Sequence, residues 1–338
     1  MATTETKALD TLIASRRAML LGGGAALAAL ATVHSAKAQS TVTAYTDNDI
    51  LNFALNLEYL EANFYYLAAF GTTIDVANTA STAAGAPLLA LTGGGTQGTV
   101  SVKSNPKVPF TSIQVGSYAV ETAVEEGKHV AFLRGALGGA AVAQPQLDLM
   151  ASFNTLANAA SGGALTVFDP FASDANFLIG AYVFEDVGVT AYHGAAPLIS
   201  LTPGGKTILG AAVGIHAVEA YHAGLIRTSI NIIDPDGSMG LIGLTQKISA
   251  LRTKLSQAAS TTLKTTDDIP LTPGNNMVML GATTVPATTI VDADLVTVRG
   301  FARTTTQVLN IVTGGGAQVA GTKAKGVFFP AGLNGLFS

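Results

Sequence analysis

Apolar residues recur at steps of three and four through four long stretches of this chain, the period of helices with one buried face. The first stretch carries Leu51, Leu55, Glu58, Ala62, Tyr65 and Ala69 on one stripe, with Thr46 or Asp47 as its cap and Gly71 as its stop. The second is predicted from Ser112 to Leu137. Thr111 and Gln114 have capping-box spacing at its start, and Gly138-Gly139 closes it. The third is predicted from Asp174 to Leu201, with Pro197 bending it or ending it early. Thr202-Pro203-Gly204-Gly205 reads as a turn, and the fourth helix follows from Lys206 to Ile233, broken by Asp234-Pro235-Asp236-Gly237. The periodicity therefore predicts an all-α core, a four-helix bundle.

The intervening segments follow other rules. Residues 71–110 are rich in Gly, Thr, Ala and Ser, with one candidate strand at Thr99-Val100-Ser101-Val102, and read as a long crossover. A short helix is predicted near Leu147–Ala159. Past the bundle come a helix at Leu241–Gln257, a Thr/Val/Pro-rich stretch to about residue 296, and a short helix at Thr304–Val312. The expected organisation is an N-terminal leader over 1–38, the bundle over 39–234, and a mixed helix/loop C-terminal extension over 235–338 packed on the bundle.

The leader changes the reading of the composition. Ser15-Arg16-Arg17 precedes an apolar run from Ala18 to Val33, and Ala36-Lys37-Ala38 supplies an A-x-A cleavage site before Gln39. The run falls short of the roughly 20 residues a membrane span needs, so cleavage is expected rather than anchoring, with no stable membrane insertion afterwards. The paired arginines beside Met19-Leu20-Leu21 resemble a twin-arginine export signal, which predicts a periplasmic or extracellular protein. The chain is 48% hydrophobic and 12% charged with a formal charge of −4, and no basic stripe invites nucleic acid. It contains no cysteine, which excludes disulfides, thiolate metal sites and iron–sulfur clusters and leaves histidine and carboxylate as the strong metal ligands.

Those ligands sit in a doubled pattern. Glu126 and His129 on the second predicted helix, and Glu219 and His222 on the fourth, are spaced i, i+3 and so share a helix face. Each pair is preceded, one helix earlier, by a glutamate with a tyrosine seven residues on: Glu58 with Tyr65, and Glu185 with Tyr192. One E-x-x-H alone is usually a solvated pair. Repeated in the same order in two helical hairpins, it is the pattern by which bundles hold two metals: one glutamate from each of two helices and an E-x-x-H pair from each of the others. Four carboxylates and two neutral imidazoles balance two divalent ions, and so many buried carboxylates could not all stay ionised without them. The expected metal ligands are Glu58, Glu126, His129, Glu185, Glu219 and His222. Glu126 and Glu219 would bridge, and Tyr65 and Tyr192 would hydrogen-bond ligands or take part in redox steps. Glu61, Glu125, the Asp186/His193 pair and His216 are the rivals, His216 the strongest because it lies three residues before Glu219.

The stretches Ile50–Ala62 and Glu125-Glu126-Gly127-Lys128-His129-Val130 resemble the ferritin-like superfamily, and within it the family that includes desiccation-related proteins. Arg303–Leu309, Phe328-Phe329-Pro330 and Asn334-Gly335 in the tail are similar too. The resemblance implies a bundle holding two iron ions, with manganese as the alternative, and dioxygen or peroxide as the molecule acted on. The activities it implies are iron oxidation or dioxygen/peroxide reduction in stress protection, a manganese catalase-like reaction, or a protective envelope role in which the metals only stabilise. Histidine on both Glu-His helices departs from storage ferritins toward bacterioferritin and rubrerythrin centres. The lack of cysteine removes the rubredoxin-like module of the latter. An oligomer is compatible with all of these.

Overall fold

The computed structural model describes residues 45–263, 265–272, 276–287, 289–316 and 323–337; the predicted leader lies outside them. Four long helices form the bundle: α1 (Asp47–Phe70), α3 (Ile113–Leu137), α5 (Asp174–Ala195) and α6 (Pro203–Ile233). Helix α1 pairs with α3 and α5 with α6, so the two hairpins predicted from the doubled motif are the two halves of the bundle. The remaining helices are short α2 (Thr79–Ala83), α4 (Ala151–Ser161), α7 (Leu241–Ala258) and α8 (Thr305–Val312). Two small two-stranded sheets complete the described elements. One is parallel, β1 (Val100–Ser101) with β2 (Leu147–Asp148); the other is the hairpin β3 (Asn276–Leu280) with β4 (Thr283–Ala287).

Helix α1 is the central element. Thr46 caps it through a capping box with Asp49, and Gly71 closes it in the left-handed region at φ 77°. Nearly every residue from Ile50 to Phe70 is buried, because the crossover, the extension and the C-terminal tail all lie against faces a lone bundle would leave to water. Three asparagines on α1 tie those covers down. Asn52 donates to Ala140 O at 3.0 Å and Asn63 donates to Gln144 Oε1 at 2.8 Å. Asn56 exchanges two bonds with the backbone of Asn334, whose own amide donates to Thr96 O and Ala143 O. The crossover is thus folded back on the bundle. Its strand β1 pairs with residues just after α3, and it holds the short helix α2 that periodicity did not predict.

Several boundaries differ from the sequence expectation for identifiable reasons. Thr111 and Gln114 form no capping box. Thr111 instead donates to Asp174 Oδ2, Gln114 donates to Tyr118, and Ser112 caps α3 by accepting from Val115 N at 3.3 Å. Helix α5 ends at Ala195, and Pro197 sits in a single 3₁₀ turn rather than in a continuing helix. Helix α6 begins three residues early. Thr202 accepts from Gly205 N as the N-cap and Pro203 takes the first helical position, where its missing N–H costs nothing. The short helix predicted from Leu147 starts at Ala151, because Leu147 and Asp148 are taken by β2.

Helix α6 is long and apolar enough to cross a membrane. In the fold it is the fourth bundle helix, and Glu219, His222 and Arg227 are buried in its inward face.

Candidate metal centre

Each bundle helix delivers its predicted groups to one point in the core. Glu58, Glu126, Glu185 and Glu219 are at most 1% exposed, and His129 and His222 are buried beside them. Ligand atoms of Glu58, Glu126, His129 and Glu219 lie within 4.8 Å of one another, and so do those of Glu126, Glu185, Glu219 and His222. The two groups share Glu126 and Glu219. Each of these two E-x-x-H glutamates therefore reaches both positions, while Glu58 with His129 and Glu185 with His222 belong to one side each.

The imidazoles face inward through Nδ1. His129 Nδ1 lies 3.3 Å from Glu58 Oε2 and from Glu219 Oε1, and 3.4 Å from Glu126 Oε2. His222 Nδ1 lies 3.0 Å from Glu126 Oε1 and 3.6 Å from Glu185 Oε2. Its Nε2 donates to Glu125 Oε2 at 2.8 Å. That outer bond fixes the ring and leaves the Nδ1 lone pair aimed into the core, the way ligating histidines are normally held. The tyrosines cross the bundle. Tyr65 on α1 donates to Glu185 Oε1 on α5, and Tyr192 on α5 donates to Glu58 Oε1 on α1. Each glutamate thus has one oxygen held by a phenol and the other turned toward an imidazole. The seven-residue spacing places these reciprocal bonds because α1 and α5 run antiparallel.

The cluster lacks a compensating cation. Among the described residues no lysine or arginine pairs with its carboxylates; their only ion-pair partners are the two histidines. Eleven buried side-chain polar atoms among the described residues lack an aligned hydrogen bond. Six of them are here: Glu58 Oε2, Glu126 Oε1, Glu185 Oε2, both Glu219 oxygens and His222 Nδ1. Native interiors leave few such atoms, and a concentration of them marks a group that something else satisfies. Electrostatics agree. Burial raises Glu58 to about 7 against the pull of His129, and burial and Glu126 raise Glu219 well above the carboxylate range. Glu126 alone is held low, because the two histidines outweigh its burial. Both imidazoles are raised, the surrounding carboxylates overcoming burial. Without an ion the site holds protons; hard, anionic oxygens and two imidazole nitrogens are the donor set for two iron- or manganese-type cations. The residues fit.

The rivals fall outside the two groups. His216 Nδ1 lies 3.1 Å from Val189 O and its ring packs on His193, whose own Nδ1 is 3.0 Å from Phe301 O. Asp186 pairs with arginines on the other side of α5. Two residues set aside in the sequence have a place here. Glu125 orients His222, a role its spacing from Lys128 concealed. Glu61, passed over because seven residues later stands Ala68, is 6% exposed at the edge of the cluster. Burial and the neighbouring Glu219, Glu126, Glu185 and Glu58 raise it well above the usual range. Gly188 stands beside it: a Cβ there would lie 2.5 Å from Glu219 Oε2 and would push that carboxylate from its place.

Comparison with known proteins agrees with this architecture. Residues 46–231, the span of the four bundle helices, match the ferritin-like domain. The chain is 34% identical over 217 residues to the desiccation-related protein PCC13-62 of Craterostigma plantagineum, covering 62% of each chain. It is 26% identical over 296 residues to the ferritin-like catalase Nec2 of Nesocodon mauritianus, covering 86% of this chain and 84% of that one. No solved structure matches the chain. With the bundle matched end to end, the chain belongs to the ferritin-like domain family.

Proposed function

We propose that this is an exported two-metal carboxylate protein that consumes peroxide or dioxygen and protects against oxidative and drying stress. The observation that carries the reading is the pair of overlapping four-residue groups sharing Glu126 and Glu219. Glu58 and His129 would hold one ion and Glu185 and His222 the other, with Glu126 and Glu219 common to both groups. Iron is the first candidate and manganese the second. Bound ions supply positive charge that keeps the four carboxylates ionised, and electrons for reducing an oxygen–oxygen bond.

The protein's own groups do the rest. Tyr65 and Tyr192 fix the terminal carboxylates through their hydroxyls, and burial, by raising both phenols well above their ordinary value, keeps the protons of those hydrogen bonds in place. Glu125 holds the His222 ring from the surface side. The apolar body of α1 keeps bulk water from the cluster, which strengthens each electrostatic contact inside it. Similarity to a protein named a ferritin-like catalase favours peroxide as the substrate. Export rests on the arginine pair and cleavage site of residues 1–38.

The test is metal content of the purified mature protein, followed by oxygen evolution from added peroxide and oxygen uptake on adding Fe(II). Two ions per chain with turnover in either assay supports the reading. Glu219→Ala combined with His222→Ala should abolish both. Metal without turnover assigns the ions a stabilising role only, and no change in the double variant ends the proposal.

A further inference from the structure

His193 on α5 and His216 on α6 are the two described histidines that the metal centre does not use. They face each other across the second hairpin, with ring centroids 5.8 Å apart and planes at 43°. Each ring is anchored by the same kind of bond. His216 Nδ1 lies 3.1 Å from Val189 O on α5, and His193 Nδ1 lies 3.0 Å from Phe301 O in the extension. A carbonyl oxygen only accepts, so each Nδ1 carries the proton and the Nε2 of a neutral ring keeps its lone pair. Neither Nε2 makes a hydrogen bond or ion pair among the described residues. Both rings are half-buried, within reach of solvent.

Holding Nδ1–H on a backbone carbonyl is how proteins fix the tautomer and orientation of a ligating histidine. The separation suits one shared ion. An ion about 2.0–2.1 Å from each Nε2 would sit about 3.2 Å from each ring centre. Two rings on it would then have centres about 5.2 Å apart at a tetrahedral angle and about 6.4 Å apart in line. The observed 5.8 Å lies between these limits. The segment that carries Phe301 is itself fixed. Arg303 N donates to Thr190 O at 3.0 Å, and the Arg303 side chain bonds Asp267 and Asp268. Gly194 lets that segment pass close to α5, since a Cβ there would collide with Arg303 O. Burial, and then the charge of His193, hold His216 below the ordinary imidazole range, so the ring is neutral near pH 7.

We propose that His193 and His216 form a second metal site, holding one borderline cation of the zinc–copper class with water completing its coordination. Imidazole nitrogen suits zinc and copper, whereas magnesium, calcium and manganese favour carboxylate, carbonyl and water oxygens. No carboxylate pairs with either ring among the described residues, so this site selects against the hard cations. The ion would join α5, α6 and, through Phe301, the extension at one point. The inference does not rest on the chemistry of the carboxylate centre.

The test is ¹⁵N NMR of the histidine-labelled protein, titrated with zinc after chelation, with affinity read by competition with a chromophoric chelator. Zinc should shift the Nε2 resonances of His193 and His216 in one common step. The same step should appear in Glu219→Gln, which alters only the carboxylate centre. Magnesium should leave both rings unmoved. Asparagine places an amide N–H where the imidazole has Nδ1–H, so His193→Asn and His216→Asn can keep the carbonyl bond while losing Nε2. Each should weaken this zinc step by more than the roughly 10–100-fold that loss of an outer partner costs. The two changes lie on different helices, so either serves should the other variant not fold. Zinc that shifts only one ring, or neither, overturns the proposal. So does an asparagine variant that keeps wild-type affinity, or magnesium that binds the pair as well as zinc.

Discussion

Among the described residues two carboxylate clusters are buried on different faces of helix α5, and they solve the same electrostatic problem differently. In the metal centre, four glutamates meet two histidines and no arginine. In the second cluster Asp186, Asp267 and Asp268 meet Arg227, Arg252 and Arg303. Arg227 and Arg252 each bond Asp186 Oδ2, at 2.9 and 2.8 Å, and Arg252 Nε lies 2.7 Å from Asp268 Oδ2. Arg303 bonds Asp267 Oδ2 at 2.9 Å and Asp268 Oδ2 at 3.0 Å. Three guanidinium groups thus balance three carboxylates. A fourth acid, Asp292, is raised to about 8 by burial and by Asp186 and Asp268, and so gives up its charge near neutrality. Asp186, Asp268 and Asp292 also approach one another as a metal site would, but the arginines already occupy that role. Proximity of carboxylates alone does not single out a candidate metal site; a deficit of protein cations beside them distinguishes the first cluster from the second.

The contrast can be broken most sharply by removing one acid from each side. Asp268→Ala should cost about 3–5 kcal/mol, with or without metal, because it strands two buried guanidinium groups. Urea unfolding in chelator and in metal will show whether the loss is the same in both. Glu219→Gln should behave oppositely. In chelator its stability should match wild type within about 1 kcal/mol, since the carboxyl it replaces is already protonated there. Metal at a hundredfold excess over its Kd should then stabilise wild type by about 2.7 kcal/mol and leave the variant unmoved. A large loss in chelator would mean the cluster is satisfied as it stands.

Glu125→Ala sharpens the comparison at a single contact. Freeing the His222 ring should weaken metal binding about 10–100-fold, read by competition with a chromophoric chelator, while apo stability changes little because Glu125 is partly exposed. The smallest effect is in the pH profile of the metal-free protein. Glu58 is raised to about 7, so its contribution is complete below the unfolded value near 4.5 and lost as pH climbs to about 7. Asp268 is lowered by Arg252 and Arg303 against burial, so its contribution is present above the unfolded value of about 3.9 and lost as pH falls through the folded one. Thermal melts in chelator should therefore be highest in mildly acid buffer. Glu58→Gln should flatten the alkaline side and Asp268→Asn the acid side.

The convergence of the six glutamate and histidine side chains could be read from the sequence because they lie on helices, where spacing fixes direction. Glu126 with His129 and Glu219 with His222 are each one turn apart, and the repeat itself carried the inference. The arginine cluster could not be read this way. Arg252 and Asp186 are 66 residues apart, and Asp267, Asp268 and Arg303 stand in irregular segments without a period. Glu61, set aside because Ala68 stands where the spacing of Glu58 and Tyr65 asks for a tyrosine, falls outside the two ligand groups, and its burial at their edge is what no spacing rule reveals. The start of α6 was misread although Thr202-Pro203 is a good cap and first position; two glycines behind it looked like a turn. Thr111 lost its expected box to Asp174, a residue 63 positions away that no local pattern foretells.

Glu185 and Asp186 are consecutive on α5, about 100° apart around its axis, and each belongs to a different cluster. The arginines of the bundle and extension therefore act as a torsional brace. A turn of α5 by about 10° would swing a carboxylate some 6 Å off the axis through about 1 Å, beyond the tolerance of a preorganised site. By gripping Asp186, Arg252 and Arg227 set the angle at which Glu185 enters the core. The extension's contribution to the centre is alignment, transmitted by the rigidity of one helical turn.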